Sequence, residues 1–116
     1  MFTKAIVRNP CKNMIYGLTT ANFGAPNYSL AIKQHQEYIL ALMECGLQVL
    51  TLEADEDFPD STFVEDTALL TQHCAIITNP GAYSRKNEII EIEKVIQKFY
   101  PYIERIEDPG TVEAGD

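Results

Sequence analysis

The segment AIVRNP at residues 5–10 returns as AIITNP at residues 75–80. Each copy is a short apolar run rich in β-branched residues and closed by Asn-Pro, the pattern of a strand. Each is followed by a loop, an amphipathic helical pattern, a strand with an acidic exit, and a Val-Glu box. The exits read VLTLEAD and YIERIEDPG, and the boxes read FVED at 63–66 and TVEAGD at 111–116. A matched order of this kind constrains the chain to an α/β fold of about two strand–helix–strand repeat units. One spans about 4–70 and the other about 74–116, within a single incomplete domain. The first box runs on into TALLTQ, an apolar strand, whereas the second ends with the chain, where a third unit would begin. Repeat units bury their faces against neighbours. The reading therefore expects exposed sheet edges and helix faces, and self-association through them.

Within the first unit, residues 4–8 read as a strand and residues 11–26, with Gly17, Gly24 and Pro26, as a long loop without period. A loop of that length inside a compact domain is often functional, for example as a lid. Asn27 is placed to cap a helix on which Tyr28, Ala31, Ile32, His35, Tyr38, Ile39, Leu42 and Cys45 recur at helical spacing. Gly46 stands where a left-handed terminating residue is wanted. Residues 47–52 form the next strand. In the second unit a helix is predicted over 87–100, with Ile89, Ile92, Ile96 and Phe99 on one face and Pro101 as its stop. Residues 102–106 follow as a strand.

Charge and composition limit the partners. A net charge of −8 opposes nucleic acid, whose phosphates require a basic surface, and is compatible with a cationic ligand. No apolar run approaches the roughly 20 residues of a bilayer span. Three cysteines at unrelated spacings, Cys11, Cys45 and Cys74, suit reduced thiols in a cytoplasmic protein better than a disulfide framework. All three lie in or beside predicted core elements, which favours structural roles. His35 reads as a helix-face residue and His73 as a strand-end one.

Between Glu53 and Asp66 stand seven carboxylates and no basic residue. Glu53, Asp55, Glu56 and Asp57 read as solvated turn residues. Asp60, Glu65 and Asp66 differ, because they flank Phe63 and Val64 and lead into an apolar strand, where carboxylates resist desolvation without compensation. Three compensations are open: a metal ion, although the alternating ligands and central glycine of an EF-hand are missing; backbone hydrogen bonding at a tight turn; and a cationic ligand gripped by paired carboxylates. Arg85 reads either as a surface charge or as a carboxylate clamp.

The segments FPDSTFVED, TALL, CAIITNPGAYSR and IEDPGTVEAGD, with GLTT at 17–20 and the helix IKQHQEYILALMECGL, resemble the amino-terminal part of the dimethylarginine dimethylaminohydrolases. That family belongs to the guanidine-modifying, or pentein, superfamily. The related arginine deiminases are expected to carry a basic residue where Glu65 stands. The resemblance implies a partial pentein α/β propeller, two units of a five-bladed pseudo-symmetric fold. It implies a hydrolase of linear amidines that turns methylated arginine into citrulline and dimethylamine through a covalent cysteine intermediate, without cofactor or metal. Asp66 and Glu113 would hold the guanidinium, with Glu113 also supporting the acid–base work of a histidine. Asp60 and the Leu18 backbone would meet the α-amino end of the substrate and Arg85 its carboxylate. Phe63 would pack on the alkyl part, Glu65 would complete the polar wall, and the 11–26 loop would be the lid. The catalytic histidine and cysteine of the family fall beyond the final box, so none of Cys11, Cys45, Cys74, His35 and His73 matches them. The chain alone is then expected to be inactive. A second reading is a short non-catalytic protein that binds guanidinium compounds or self-assembles, and a third is a complementation half that meets its partner as a separate chain.

Overall fold

A strand that must lie parallel to its predecessor cannot be reached by a hairpin and needs a crossover, usually helical. The computed structural model, which describes residues 1–116, uses this device twice. The chain divides into two compact units, Met1–Thr62 and Phe63–Asp116.

In the first unit β1 (Lys4–Arg8) pairs in parallel with β2 (Gln48–Leu52), Lys4 opposite Gln48 and Arg8 opposite Leu52. The connection contains a 3-10 helix over Lys12–Tyr16 and α1 over Tyr28–Glu44. The Asn27 side chain caps α1 by accepting the Leu30 N–H at 3.0 Å. At the other end Gly46 takes φ +84°, so that Gly46 N–H reaches Met43 O and Leu47 N–H reaches Leu42 O, a Schellman closure. The periodic face is the inward one: Tyr28, Ala31, Ile32, His35, Ile39 and Leu42 are half-buried, while Tyr38 and Cys45 are exposed. Burial lowers the pKa of His35.

The 11–26 segment is not wholly irregular. Its 3-10 helix shows no 3.6-residue period, and its first turn is held from a distance. Glu56 accepts the N–H groups of Lys12 and Asn13 at 2.9 and 3.0 Å, which is carboxylate compensation of free helix N-terminal donors. The reading of Glu56 as a merely solvated turn residue is corrected accordingly. Arg8, 4% exposed, donates to the Glu53 carbonyl at 2.8 Å and so ties the end of β1 to the acidic exit of β2.

In the second unit β4 (Ala75–Ile77) lies between β3 (Ala68–Leu70), antiparallel to it, and β5 (Ile103–Arg105), parallel to it. A central strand is covered on both edges, and Ala75 and Ile77 are fully buried. Between β4 and β5 the helical stretch begins as a 3-10 helix over Tyr83–Glu88 and becomes α2 over Ile89–Ile96. It is shorter than predicted: beyond Ile96 the N–H groups of Lys98 and Phe99 close tight turns back to Val95 and Ile96, ahead of Pro101. Ile92 and Ile96 are buried on the expected face, whereas Phe99 stays 44% exposed. The repeat thus appears as strand, helical crossover and parallel strand in both units. The FVED box and β3, which the repeat spacing assigns to the first unit, belong with the second, because β3 pairs with β4. The second box follows β5 and bridges Val112 to Asn79 in antiparallel fashion. The Asn79 side chain donates to Gly110 O and Asp108 Oδ1. The hydrogen bond to Asp108, with the charge of Lys86 adding to it, holds the Asp108 carboxyl below its usual pKa.

Candidate functional site

The candidate residues divide between the units: Leu18 and Asp60 in the first, Phe63, Glu65, Asp66, Arg85 and Glu113 in the second. In the first unit the 3-10 helix ends at Gly17, and the Leu18 N–H that follows donates to both oxygens of Asp60, at 3.2 and 3.1 Å. Gly17 permits this approach, since a Cβ there would stand 2.5 Å from Asp60 Oδ1. Asp60 is therefore compensated by backbone hydrogen bonding and stays half-buried, while Leu18 is 59% exposed.

In the second unit Asp66 sits in a single 3-10 turn, Val64–Thr67, that delivers the chain into β3. Its backbone is fixed from two sides, since Asp66 O accepts the Thr78 hydroxyl at 2.7 Å and the Ala114 N–H at 3.1 Å. Thr78 directly follows β4 and is 1% exposed, so the anchor is buried. The Ala114 bond joins the two Val-Glu boxes. Immediately after it, Gly115 lies against the Asp66 carboxylate and the Glu65 side chain with no room for a Cβ. Glu113, half-buried, accepts the Gly81 N–H through Oε1 at 2.8 Å. Glu65 is exposed and Phe63 is 50% exposed, both available to a ligand.

Of the two readings of Arg85, the structure fits the carboxylate clamp. It is 8% exposed, so it is no surface charge, and the carboxylates it clamps are the protein's own. It donates through Nε to both Glu88 oxygens at 3.1 Å, through Nη2 to Glu88 Oε2 at 2.8 Å, and through Nη1 to Asp66 Oδ2 at 2.6 Å. Burial alone would lower the pKa of Arg85, but the hydrogen bonds and charges of Glu88 and Asp66 outweigh it and raise the pKa above its ordinary value. Glu88, with only 3% of its side chain exposed, is the functional-looking residue that the sequence did not disclose. Its spacing of three from Arg85 on a helical stretch is the one signal that points to it. Two carboxylates thus share this one guanidinium.

The three thiols are free. Cys11 is buried, with its Sγ 3.8 Å from the Phe58 and Pro59 carbonyls. Burial, with the charge of Glu56 adding to it, raises its pKa, which disfavours the thiolate a nucleophile needs. Cys74 is half-buried in the β3–β4 hairpin, and Cys45, expected beside the core, is exposed at the end of α1.

No family model matches the chain. Its fold matches somewhat less than half of a hydrolase solved with citrulline. The structure of a cysteine-to-serine variant of that enzyme from Pseudomonas aeruginosa, complexed with citrulline, matches with a TM-score of 0.97 over 100% of this chain and 46% of the other. In sequence the chain is 52% identical over 117 residues to the N(G),N(G)-dimethylarginine dimethylaminohydrolase of Pseudomonas aeruginosa, covering 100% of this chain and 46% of that one. It is 34% identical over 114 residues to the enzyme of the same name from Streptomyces coelicolor, covering 97% and 44%. The chain spans about half the length of the curated relatives it matches. These similarities bear out the resemblance to dimethylarginine dimethylaminohydrolases read from the sequence.

Proposed function

We propose that the chain supplies guanidinium-binding carboxylates to an amidinohydrolase that converts N(G),N(G)-dimethylarginine and water to citrulline and dimethylamine. The observation that carries this reading is the fixation of Asp66, whose backbone carbonyl is held by Thr78 and Ala114 and whose carboxylate is held by Arg85. A carboxylate fixed before the ligand arrives grips a planar guanidinium through charge-assisted bonds at little reorganisation cost. Asp66 and Glu113 hold the guanidinium nitrogens, and the Gly81 N–H leaves Glu113 Oε2 for the substrate or for a histidine moving protons. In the first unit, taken by itself, Asp60 and the Leu18 backbone are the groups suited to an α-ammonium, the Leu18 N–H being already given to Asp60. Phe63 covers the alkyl chain and Glu65 completes the polar wall. The substrate carboxylate falls to Arg85, which must share its guanidinium with Asp66 and Glu88 to meet it. The attacking thiolate of such an enzyme is none of Cys11, Cys45 and Cys74, so the 116-residue chain is expected to bind guanidinium compounds without releasing dimethylamine.

Asp66→Asn tests the reading, because it keeps the shape of the side chain and removes the charge. Citrulline formation from dimethylarginine by the whole hydrolase is expected to fall roughly a hundredfold or more. Unchanged turnover in that variant, or no citrulline from the unmodified enzyme, would sink the proposal.

A second reading, a guanidinium-binding protein that assembles with copies of itself, is favoured by α1, which has no buried residue. Leu30, Tyr38, Leu40 and Met43 on it are each more than half exposed. Sedimentation of the 116-residue chain is expected to show self-association that grows with concentration. A monodisperse monomer at high concentration would contradict it. In the five-bladed propeller that the family resemblance implies, other blades would cover such faces. No helix of the chain is long and apolar enough to cross a membrane. Free thiols fit the cytoplasm as the working compartment.

A further inference from the structure

We infer that Glu88 is the positioning residue of the guanidinium site, its carboxylate gripping the Nε–Nη2 edge of Arg85 so that Nη1 is presented to Asp66. The geometry has the form of a relay. One edge of the guanidinium is held by a carboxylate with 3% of its side chain exposed, and the other side faces Asp66, which is 15% exposed and nearer to solvent. A guanidinium is planar and presents its donors in a rigid fork, so fixing the Nε–Nη2 edge fixes the direction of Nη1. Arg85 and Glu88 both lie on the 3-10 helix Tyr83–Glu88, where a separation of three residues stacks side chains one above the other. The helix therefore carries the grip, and Asp66, nineteen residues away in sequence, receives its result.

Glu88 also sets how strongly Arg85 holds Asp66. With two carboxylates sharing one guanidinium, Asp66 is oriented while Glu88 engages part of the Arg85 charge. Remove the Glu88 charge and more of the Arg85 charge falls to Asp66. Asp66 then has less charge to offer a ligand. The effect on ligand binding rests on the assignment of Asp66 as a guanidinium ligand made above; the grip on Arg85 does not.

The test uses Glu88→Gln and Glu88→Asp in the 116-residue chain, with two readouts. The first is the Nε–H resonance of Arg85 by NMR, assigned by its loss in Arg85→Lys. A buried Nε–H shared between two carboxylate oxygens is expected to be shifted downfield and protected from exchange with solvent. In Glu88→Gln the signal should move toward the position of an exposed arginine and lose protection. In Glu88→Asp, one methylene shorter but still charged, it should be intermediate. The second readout is the affinity for methylguanidinium, expected to fall roughly tenfold in Glu88→Gln, the scale on which loss of an orienting partner acts, and to recover in part in Glu88→Asp. An Arg85 signal unmoved in Glu88→Asp with the fold intact overturns the proposal, and that variant decides the matter if Glu88→Gln does not fold. Methylguanidinium affinity unchanged in a folded Glu88→Gln also overturns it. If the unmodified chain does not bind methylguanidinium, the reading of Asp66 fails, and the Arg85 resonance still decides the role of Glu88.

Discussion

Replacing Arg85 by Met is expected to destabilise the second unit by about 3–5 kcal/mol, because it removes the cation from two carboxylates that cannot return to water without unpacking the fold. Glu88 has only 3% of its side chain exposed and Asp66 15%, so each would be left as a charge in a poorly solvated place. Domains of this size have total stabilities of roughly 5–15 kcal/mol. The loss is thus a large share of the whole and should appear as a fall in Tm of roughly 15 °C or more, followed by circular dichroism. Lysine is not a substitute, since a point charge cannot make the Nε–Nη2 contact to Glu88 and the Nη1 contact to Asp66 together. The energetic origin is separable from packing by the double variant Arg85→Met with Glu88→Leu. A buried ion pair replaced by apolar groups is often neutral or stabilising, so the double variant is expected to recover much of the lost Tm. A single variant within 3 °C of the unmodified chain, on the order of half a kcal/mol, would show that the cluster carries little of the stability of the fold.

The same cluster marks the limit of what the sequence discloses. The repeat was legible because its signals are local. Asn27 caps α1, Gly46 closes it through a positive φ, and the apolar period between them turns out to be the half-buried face. Asp60, Glu65 and Asp66 stand out because they flank an apolar pair and lead into an apolar strand, where an uncompensated carboxylate is anomalous, whereas Glu113 is reached only through the family resemblance. The structure answers Asp60 and Glu113 with backbone N–H groups and Asp66 with a guanidinium. Illegible residues are those whose partners are distant in the chain. Glu56 looked like one acid among several in a turn, and only the fold brings it to the free N–H groups of the Lys12–Tyr16 helix. Glu88 looked like an ordinary glutamate at the start of a helix, where acids are common. The 11–26 segment reads as loop throughout because a 3-10 helix of five residues leaves no period to detect. Helix α2 came out shorter than its apolar pattern, since Phe99 continues the spacing but lies in the tight turns that precede Pro101.

Gly115→Ala is expected to separate function from stability where Arg85→Met cannot. A Cβ at this position would overlap the Asp66 carboxylate and come within 2.8 Å of Glu65 Cγ. The obstacles are ends of side chains, not backbone, so the chain can accommodate the methyl by moving them and the fold should survive. What moves, however, is the carboxylate proposed to hold the substrate, whose other oxygen is bonded to Arg85 Nη1 at 2.6 Å. A displacement of about 1 Å at such a group is enough to cost roughly a hundredfold in turnover. Citrulline formation by the proposed hydrolase is therefore expected to drop on that scale, and the methylguanidinium affinity of the 116-residue chain to fall with it, while Tm drops by far less than in Arg85→Met. Gly81 supplies the comparison. A Cβ there meets Glu113 Oε1 at 3.6 Å and Thr111 Oγ1 at 3.7 Å, ordinary contact distances, and the N–H given to Glu113 is kept by alanine. Gly81→Ala should then change affinity much less than Gly115→Ala, although both glycines adjoin a proposed ligand carboxylate. Equal effects of the two substitutions, or wild-type turnover in Gly115→Ala, would mean that the position of Asp66 is not what limits the site. A strong effect confined to Gly115 would tie the final box, EAGD, to the first, FVED, through the one carboxylate that both enclose.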